Sequence, residues 1–449
     1  MQKNETSGER FRRMTETPVR PLILKLAVPS IISMLVTGIY NTADTYFVGR
    51  ISTQATAAVG LVFSVMAIIQ ALGFFCGHGS GNYLSRMLGA GNQKEADEMA
   101  STGFALALII GILIAAAGNV FIDDLVRIVG ATETTAEDTR NYMRIILLGA
   151  PFMTCQFVIN NQLRFQGNAV YAMYGLLCGA VMNIGLDPLL MFVFGLGVSG
   201  AAIATVTGQA VSFLVLLIGS SRGVNIHLHL KNVHLNGHYL FEITNGGLPS
   251  LFRQGLAAVS TLLLNTTAGS LGGDAAIAGM SVVGRVLMMV CSALIGFGQG
   301  YQPVCSFNYG AGKKDRVKEG YFFCVKYGTV FLVVFCALAF AFAPQIVGWF
   351  RKDPAVIEIG AFALRCEAAV FPLMATIVMT NMMLQSMGRG LKASIASSSR
   401  NGIFFIPLIL ILPRLFGLTG VQITQAVADA LSFALAIPLA ASEFREMGE

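Results

Sequence analysis

The sequence predicts an all-α integral membrane protein, with twelve transmembrane helices in two six-helix parallel repeats, or lobes, around a central cleft. Three observations predict it. Of 449 residues, 55% are hydrophobic and only 12% charged, with a mean hydropathy of +0.67. A soluble globular chain carries about 25% charged residues, so much of this surface has to meet lipid. Apolar windows such as 104–120, 200–219 and 331–347 approach the roughly 20 residues that a helix needs to cross the hydrocarbon core. Lipid admits only helices or a closed barrel, and the period-2 alternation of a barrel is missing here. Finally, the second half of the chain echoes the first.

The elements follow in order. The start, MQKNETSGERFRRM, is polar and basic and reads as a tail over 1–20, without a cleavable signal pattern. Spans of the N-terminal lobe (21–220) fall at about 22–48, 55–86, 99–120, 140–164, 169–193 and 200–219. A linker over 221–243 holds HLHLKNVHLNGH, whose histidines are spaced too loosely for a metal site and read as a solvated loop. The C-terminal lobe (244–441) has spans at about 244–270, 275–308, 321–347, 360–385, 394–414 and 421–441, and a tail over 442–449 follows. An even number of spans puts both termini on one side. About 20 of the 30 Lys and Arg residues fall on that side, among them Arg10, Arg13, Arg164, Lys313, Arg316, Arg389, Lys392 and Arg400. Positive-inside then makes it cytoplasmic and the membrane the cell (plasma) inner membrane, crossed many times. The eight cysteines stand singly, with no CxxC pair, and predict neither a disulfide framework nor zinc. The net charge of +6 has no basic run with interleaved aromatics, so no nucleic-acid partner is expected.

The echo is detailed. GFFCGHGSGNYLSRMLGAGN (73–92) answers to LIGFGQGYQPVCSFNYGAGK (294–313), aligning Gly79 with Gly300 and the two GAG triplets at an offset of 221. Pro151 and Pro372 align at the same offset. Self-similarity at half the chain length marks a duplicated unit. Six spans per unit return the chain to its starting face, so the lobes are parallel repeats, an arrangement suited to alternating access.

Where the copies disagree, function is expected. Asp44 in span 1 is answered by Leu264, and Asp187 in span 5 by Ile406. An Asp at a helix centre costs about 2.5–3.5 kcal/mol on insertion scales. Asn183 lies one turn before Asp187 on the same face. Pro188 frees the Ile184 carbonyl. With Thr205 in span 6 and Asn41 in span 1, these supply oxygen ligands, which suit a proton or Na⁺ and not zinc. Pro29 is a candidate kink. In the C-terminal half, Arg253 and Gln254 follow Pro249, Arg285 lies in span 8 and Asp429 in span 12. They read either as a buried Arg–Asp pairing or as a substrate cleft. Met374, Met379, Met382, Met383 and Met387 line span 10 as core or as a soft binding wall, with Met374 and Met383 taken into the candidate cleft. Glu367 reads as interfacial.

With these residues in view, the chain resembles the multidrug and toxic compound extrusion (MATE) family over nearly its whole length. The resemblance rests on Pro29 and Asp44 in LAVPSIISMLVTGIYNTADTYFVG, the GAGN and GAGK ends of spans 2 and 8, Pro151, NxxxDP at 183–188 and GAAIAT at 200–205. It implies efflux of amphipathic organic cations, driven by H⁺ or Na⁺ entering at Asp44, Asn183, Asp187 and Thr205, with no cofactor and a monomer in lipid. The Arg253–Gln254 pair is similar to the branch that includes staphylococcal multidrug exporters. Spans 7 and 10 carry no acid after their prolines, unlike branches with a second cation site there. The alternative is a lipid-linked oligosaccharide flippase, which requires a basic cleft for pyrophosphate. An enzyme is not expected, because no nucleophile–base pair or HExxH site is present.

Overall fold

The computed structural model describes residues 5–221 and 225–448, and within them every side chain except those of Asn41 and Thr42. Among the described residues the secondary structure is entirely helical. A short helix α1 (Ser7–Glu16) precedes the first lobe. That lobe comprises α2 (Val19–Val48), α3 (Thr53–Gly89), α4 (Gln93–Val120), α5 (Ile122–Ile128), α6 (Ala136–Phe165), α7 (Ala169–Pro188) and α8 (Gly197–Ser220). The second comprises α9 (Gly237–Gly310), α10 (Lys314–Ala341), α11 (Ala343–Phe350), α12 (Pro354–Val370), α13 (Met374–Ser386), α14 (Gly390–Ser398), α15 (Phe405–Phe416) and α16 (Leu418–Glu446). Eleven continuous helical segments are long and apolar enough to cross a membrane. One of them, α9, has 74 residues and reverses at Gly273, where φ is +60° and ψ −154°. This backbone is open to glycine at no steric cost. The two arms of α9 are therefore spans 7 and 8, and the total is twelve.

The repeat predicted from sequence is visible in the interactions. Asn160 Nδ2 donates to the Ala172 carbonyl at 2.9 Å, and Asn381 Nδ2 donates to the Ala393 carbonyl at 2.8 Å. Both pairs are related by the 221-residue offset. The short helices α5 and α11, which the sequence reading folded into spans or loops, start at the same offset.

Three expectations of local structure change. The segment read as a polar tail contains α1, closed by a capping box in which Glu9 N–H donates to Thr6 Oγ1 and Thr6 N–H to Glu9 Oε2. This helix straps both lobes. Arg13 donates to the Gly167 carbonyl, Asn308 to the Met14 carbonyl, and Lys313 to the Thr15 carbonyl. The linker, read as a solvated loop, is docked on the N-terminal lobe. The His229 and His234 amides donate to Ser101 and Thr102, and Ile226 is buried. Spans 5, 10 and 11 are interrupted. A π-turn at Leu189–Val193 follows Pro188, a 3₁₀ turn at Phe371–Leu373 holds Pro372, and a second π-turn covers Ser399–Ile403. Such bulges arise where the i→i−4 ladder is broken.

The lobes meet at the face that carries both termini. A Cβ on Gly89 would sit 2.0 Å from the Phe307 carbonyl oxygen, and one on Gly310 would sit 2.0 Å from that of Arg86. These are the first glycines of the two GAG triplets, so the sequence repeat and the seal are the same residues. Arg86 adds an ion pair to Glu242 at 3.0 Å, and Ser306 donates to Asn82 Oδ1 at 3.3 Å. The close cross-lobe glycine contacts of the described residues all lie in this terminal half of the spans.

Candidate functional site

The first site is built by the α7–α8 contact. Gly179 and Gly208 face each other so closely that a Cβ on either would lie 2.6–2.7 Å from the other's carbonyl oxygen. One turn further toward the opposite face, this approach brings Asn183 to Thr205. Asn183 Nδ2 donates to Thr205 Oγ1 at 3.4 Å. That leaves Asn183 Oδ1 free, buried and without a hydrogen-bond partner. Asp187, next along the same face, is fully buried, and neither of its carboxylate oxygens has a partner. Asp44 Oδ1, the Tyr142 hydroxyl and Thr139 Oγ1 are likewise buried and unpartnered. Asp44 and Asp187 are near enough to interact electrostatically, and Tyr142 feels both of them beside Thr205 and Tyr40. Five of these orphaned oxygens, from Asn183, Asp187, Asp44 and Tyr142, converge, with no cation among their described neighbours. Buried polar groups without partners are rare, and each calls for an explanation. Two carboxylates without a base have to share a proton or hold a cation, and an oxygen-only donor set suits a hard ion. A pocket of about 40 Å³ opens on Asn183 and Thr205, walled also by Thr37, Tyr40, Gln156 and Gln209 and by the apolar Phe157 and Leu176. It exceeds the ~10–15 Å³ that one water needs.

The second site is a cavity of about 240 Å³ between the lobes. Ser30, Ser33 and Thr37 of α2, Gln70 and Phe74 of α3, and Asn160 and Arg164 of α6 form its N-terminal wall. Arg253, Gln254, Met288, Ser292 and Gln299 from the two arms of α9 face them. Arg164 also reaches the seal. It donates to Asn161 Oδ1 and meets His78 Nε2 at 3.2 Å; His78 Nδ1 lies 3.1 Å from Ser250 Oγ. Ser250 Oγ in turn accepts from Gln385 Nε2 at 2.8 Å. This chain of side chains crosses from one lobe to the other at the floor of the cavity.

The comparisons with known proteins agree with this geometry. A family model described as MatE matches residues 29–189 and 249–411. The chain belongs to the MATE family. It is 29% identical over 430 residues to the multidrug export protein MepA of Staphylococcus aureus (strain NCTC 8325 / PS 47), covering 94% of each chain. Among solved structures, it superposes on MATE in the bent conformation with a TM-score of 0.92 at 27% identity, over 99% of both chains. It also matches a MOP superfamily transporter from Pyrococcus furiosus Vc1 (DSM3638), for which a reversed pocket polarity suggests a different function. That TM-score is 0.92 at 26% identity, over 99% of this chain and 100% of the other. The family and these relatives are transporters, and the chain is a multi-pass membrane protein of the same kind.

In this MATE protein the residues named from sequence divide into three groups. Asp44, Asn183, Asp187 and Thr205 come together, with Pro188 leading into the π-turn behind them. Arg253 and Gln254 line the cavity. Pro29 sits inside continuous α2. The Asn41 side chain lies outside the described residues. Met374 and Met383 do not reach the cleft. They are 2% and 0% exposed and belong to the C-terminal lobe's core, because the 3₁₀ turn at Pro372 sets that face of span 10 inward.

Two arginines assigned to the cytoplasmic face are elsewhere. Arg164 is 4% exposed and lines the cavity. Arg400 sits in the π-turn of span 11 and is paired in a bidentate manner with Asp429, at 2.8 and 3.1 Å. The Arg–Asp pair read from sequence therefore exists with Arg400, not with Arg253 or the exposed Arg285. Glu367, read as interfacial, is 2% exposed beside that pair, and both of its oxygens are unpartnered. Sequence reading missed Thr139, Tyr142 and Arg164. The repeat offers a signal for the first two, because their counterparts at the 221 offset are Gly360 and Ala363.

Proposed function

We propose that the chain is an H⁺- or Na⁺-coupled antiporter that exports amphipathic small molecules by alternating access. The five orphaned oxygens around Asp44 and Asp187 carry the coupling, since a bound proton or Na⁺ satisfies a group of atoms that nothing else among the described residues satisfies. The names of the staphylococcal relatives support drug-like cargo. The Lys/Arg bias supports a cytoplasmic terminal face in the plasma membrane, and it persists when Arg164 and Arg400 are removed from it. The glycine contacts at the terminal face support an approach to the cavity from the opposite side, which on this reading is the outward one.

The transport cycle follows from shared walls. Thr37 of α2 borders both the cation pocket and the cargo cavity. A cation entering from outside neutralises Asp44 and Asp187 and alters the packing of α2 against α7. Any shift of α2 between Pro29 and Asp44 reshapes the cargo cavity, and cargo leaves outward. The cation-loaded lobes then part at the Gly89–Phe307 and Gly310–Arg86 contacts and open inward. Coupling requires that the cation bind the two states with different affinity. The cycle uses no cofactor and no bond-making chemistry.

Resemblance to the family implies cationic cargo; the walls of the cavity bear more directly on its charge. The flippase reading called for a basic cleft, and Arg164 beside Arg253 favours it more than the sequence did. The deciding experiment is dye efflux from proteoliposomes under separate Na⁺ and H⁺ gradients, in wild type and Asp187→Asn. Ion-driven efflux is expected to vanish in the variant while downhill exchange of cargo persists. Unchanged ion-driven efflux overturns the coupling assignment.

A further inference from the structure

The cargo cavity carries the wrong sign for an organic cation. Its two charged lining residues are Arg164, from the N-terminal lobe, and Arg253, from the C-terminal lobe. They are close enough to repel each other. Neither forms an ion pair with any described carboxylate, and Arg164 Nε is buried with no acceptor at all. The other polar groups of the wall are neutral amides and hydroxyls: Gln70, Asn160, Gln254, Gln299, Ser30, Ser33, Thr37 and Ser292. Apolar surface from Met34, Phe74, Phe157, Leu176, Met288 and Ile295 completes it.

Placing two guanidinium groups together in a partly desolvated cleft is costly unless an acceptor completes them. Elsewhere this chain supplies that acceptor. Arg86 has Glu242, Arg389 has Glu443 and Arg400 has Asp429. In the cavity, by contrast, Arg164 and Arg253 line one space from opposite lobes with no carboxylate partner among the described residues. A planar guanidinium presents paired N–H donors that match a carboxylate, sulfonate or phosphate.

We propose that the cargo of this transporter is an amphipathic anion, with its acidic group held between Arg164 and Arg253 and its apolar body against Phe74, Phe157 and Met288. The proposal rests on the export reading and names its substrate class. Because one arginine comes from each lobe, an anion bound between them relieves a repulsion that otherwise opposes closure of the cavity. Arg164 also contacts His78, whose other ring nitrogen meets Ser250 across the seal. The acidic group therefore binds at the end of the side-chain chain that joins the lobes.

The test uses two xanthene dyes of opposite charge, fluorescein and rhodamine 123. Binding to the purified full-length protein in an uncharged detergent is read by fluorescence anisotropy. Fluorescein is expected to bind more tightly than rhodamine 123, and Arg253→Gln to weaken it about 10- to 100-fold, as for loss of one charged hydrogen-bond pair. Arg253→Lys is expected to retain the preference for fluorescein, and Arg253→Glu to reverse it. The Arg253 side chain makes no hydrogen bond among the described residues, so these variants are expected to fold, which thermal unfolding checks.

Tighter binding of rhodamine 123 by the wild type overturns the proposal, as does fluorescein binding that is indifferent to all three substitutions. Transport is scored separately in liposomes. If fluorescein binds as expected but no dye moves, the export reading fails and the anion site stands. Phosphatidylglycerol in the micelles distinguishes the source of the acidic group. Competition with fluorescein identifies a lipid headgroup, and lack of competition identifies a free organic anion.

Discussion

The seal at the terminal face depends on two glycines, and Gly89→Ala tests it most directly. The added Cβ would lie 2.0 Å from the Phe307 carbonyl oxygen, 2.9 Å from its carbon and 3.1 Å from the Ala311 nitrogen. All three are backbone atoms, so no side-chain rotation relieves the clash. Carbon and oxygen require roughly 3.2–3.5 Å, so α3 and the second arm of α9 have to part by over 1 Å, a gap that forfeits about half of the local dispersion energy. Overpacking of this kind costs about 1–3 kcal/mol. The clash exists only while the lobes are sealed, so the cost falls on that state alone. It shifts the equilibrium toward the state open at the terminal face by about 5- to 150-fold. The assay is double electron–electron resonance between spin labels replacing Lys94 and Asp315, one on each lobe at this face. A longer-distance population is expected to appear or grow in Gly89→Ala and in its counterpart Gly310→Ala. The control is Gly60→Ala, whose Cβ meets nothing within 4 Å, and it is expected to leave the distribution unchanged. A sealed, unaltered distribution in Gly89→Ala, in a protein of wild-type stability, would refute the reasoning.

Other outcomes follow from the same structure. Asp429→Ala leaves the part-buried Arg400 without its partner and is expected to lower stability by up to about 3 kcal/mol in chemical unfolding, whereas replacing both residues by apolar ones of similar volume is expected to recover most of it. Tyr142→Phe removes one of the five converging orphaned oxygens without changing shape. It is expected to raise the cation concentration for half-maximal transport about tenfold while leaving thermal stability near wild type. Thr6→Ala removes the cap of α1 and is expected to cost about 0.5–2 kcal/mol, read as faster amide hydrogen exchange across 7–16. Met14→Ala empties a fully buried position beneath the strap and is expected to cost about 2–5 kcal/mol, with exchange also increasing around Asn308.

The sequence by itself determined the fold class, the number of spans and the repeat, and it singled out the candidate coupling residues. Apolar length forces helices in lipid, and the period of the duplication is written in Gly89 and Gly310, Pro151 and Pro372. Asp44 and Asp187 stood out because an acid in a span is expensive and the other copy does without it. What only the tertiary structure decided is which side chains meet. Arg164 and Arg400 lie close to span ends in a linear reading, yet helix packing and a π-turn carry one into the cavity and the other to Asp429. Met374 and Met383 have the composition of a binding wall, and the turn at Pro372 faces them into the core. Tyr142 and Thr139 are ordinary residues in sequence and become orphaned oxygens only when α6 packs beside α7 and α8. Periodicity specifies which face of a helix is apolar, whereas the charge of a cavity depends on side chains hundreds of residues apart. For that reason the charge of the cavity between the lobes, to which Arg164 and Arg253 contribute, could be read only from the folded chain.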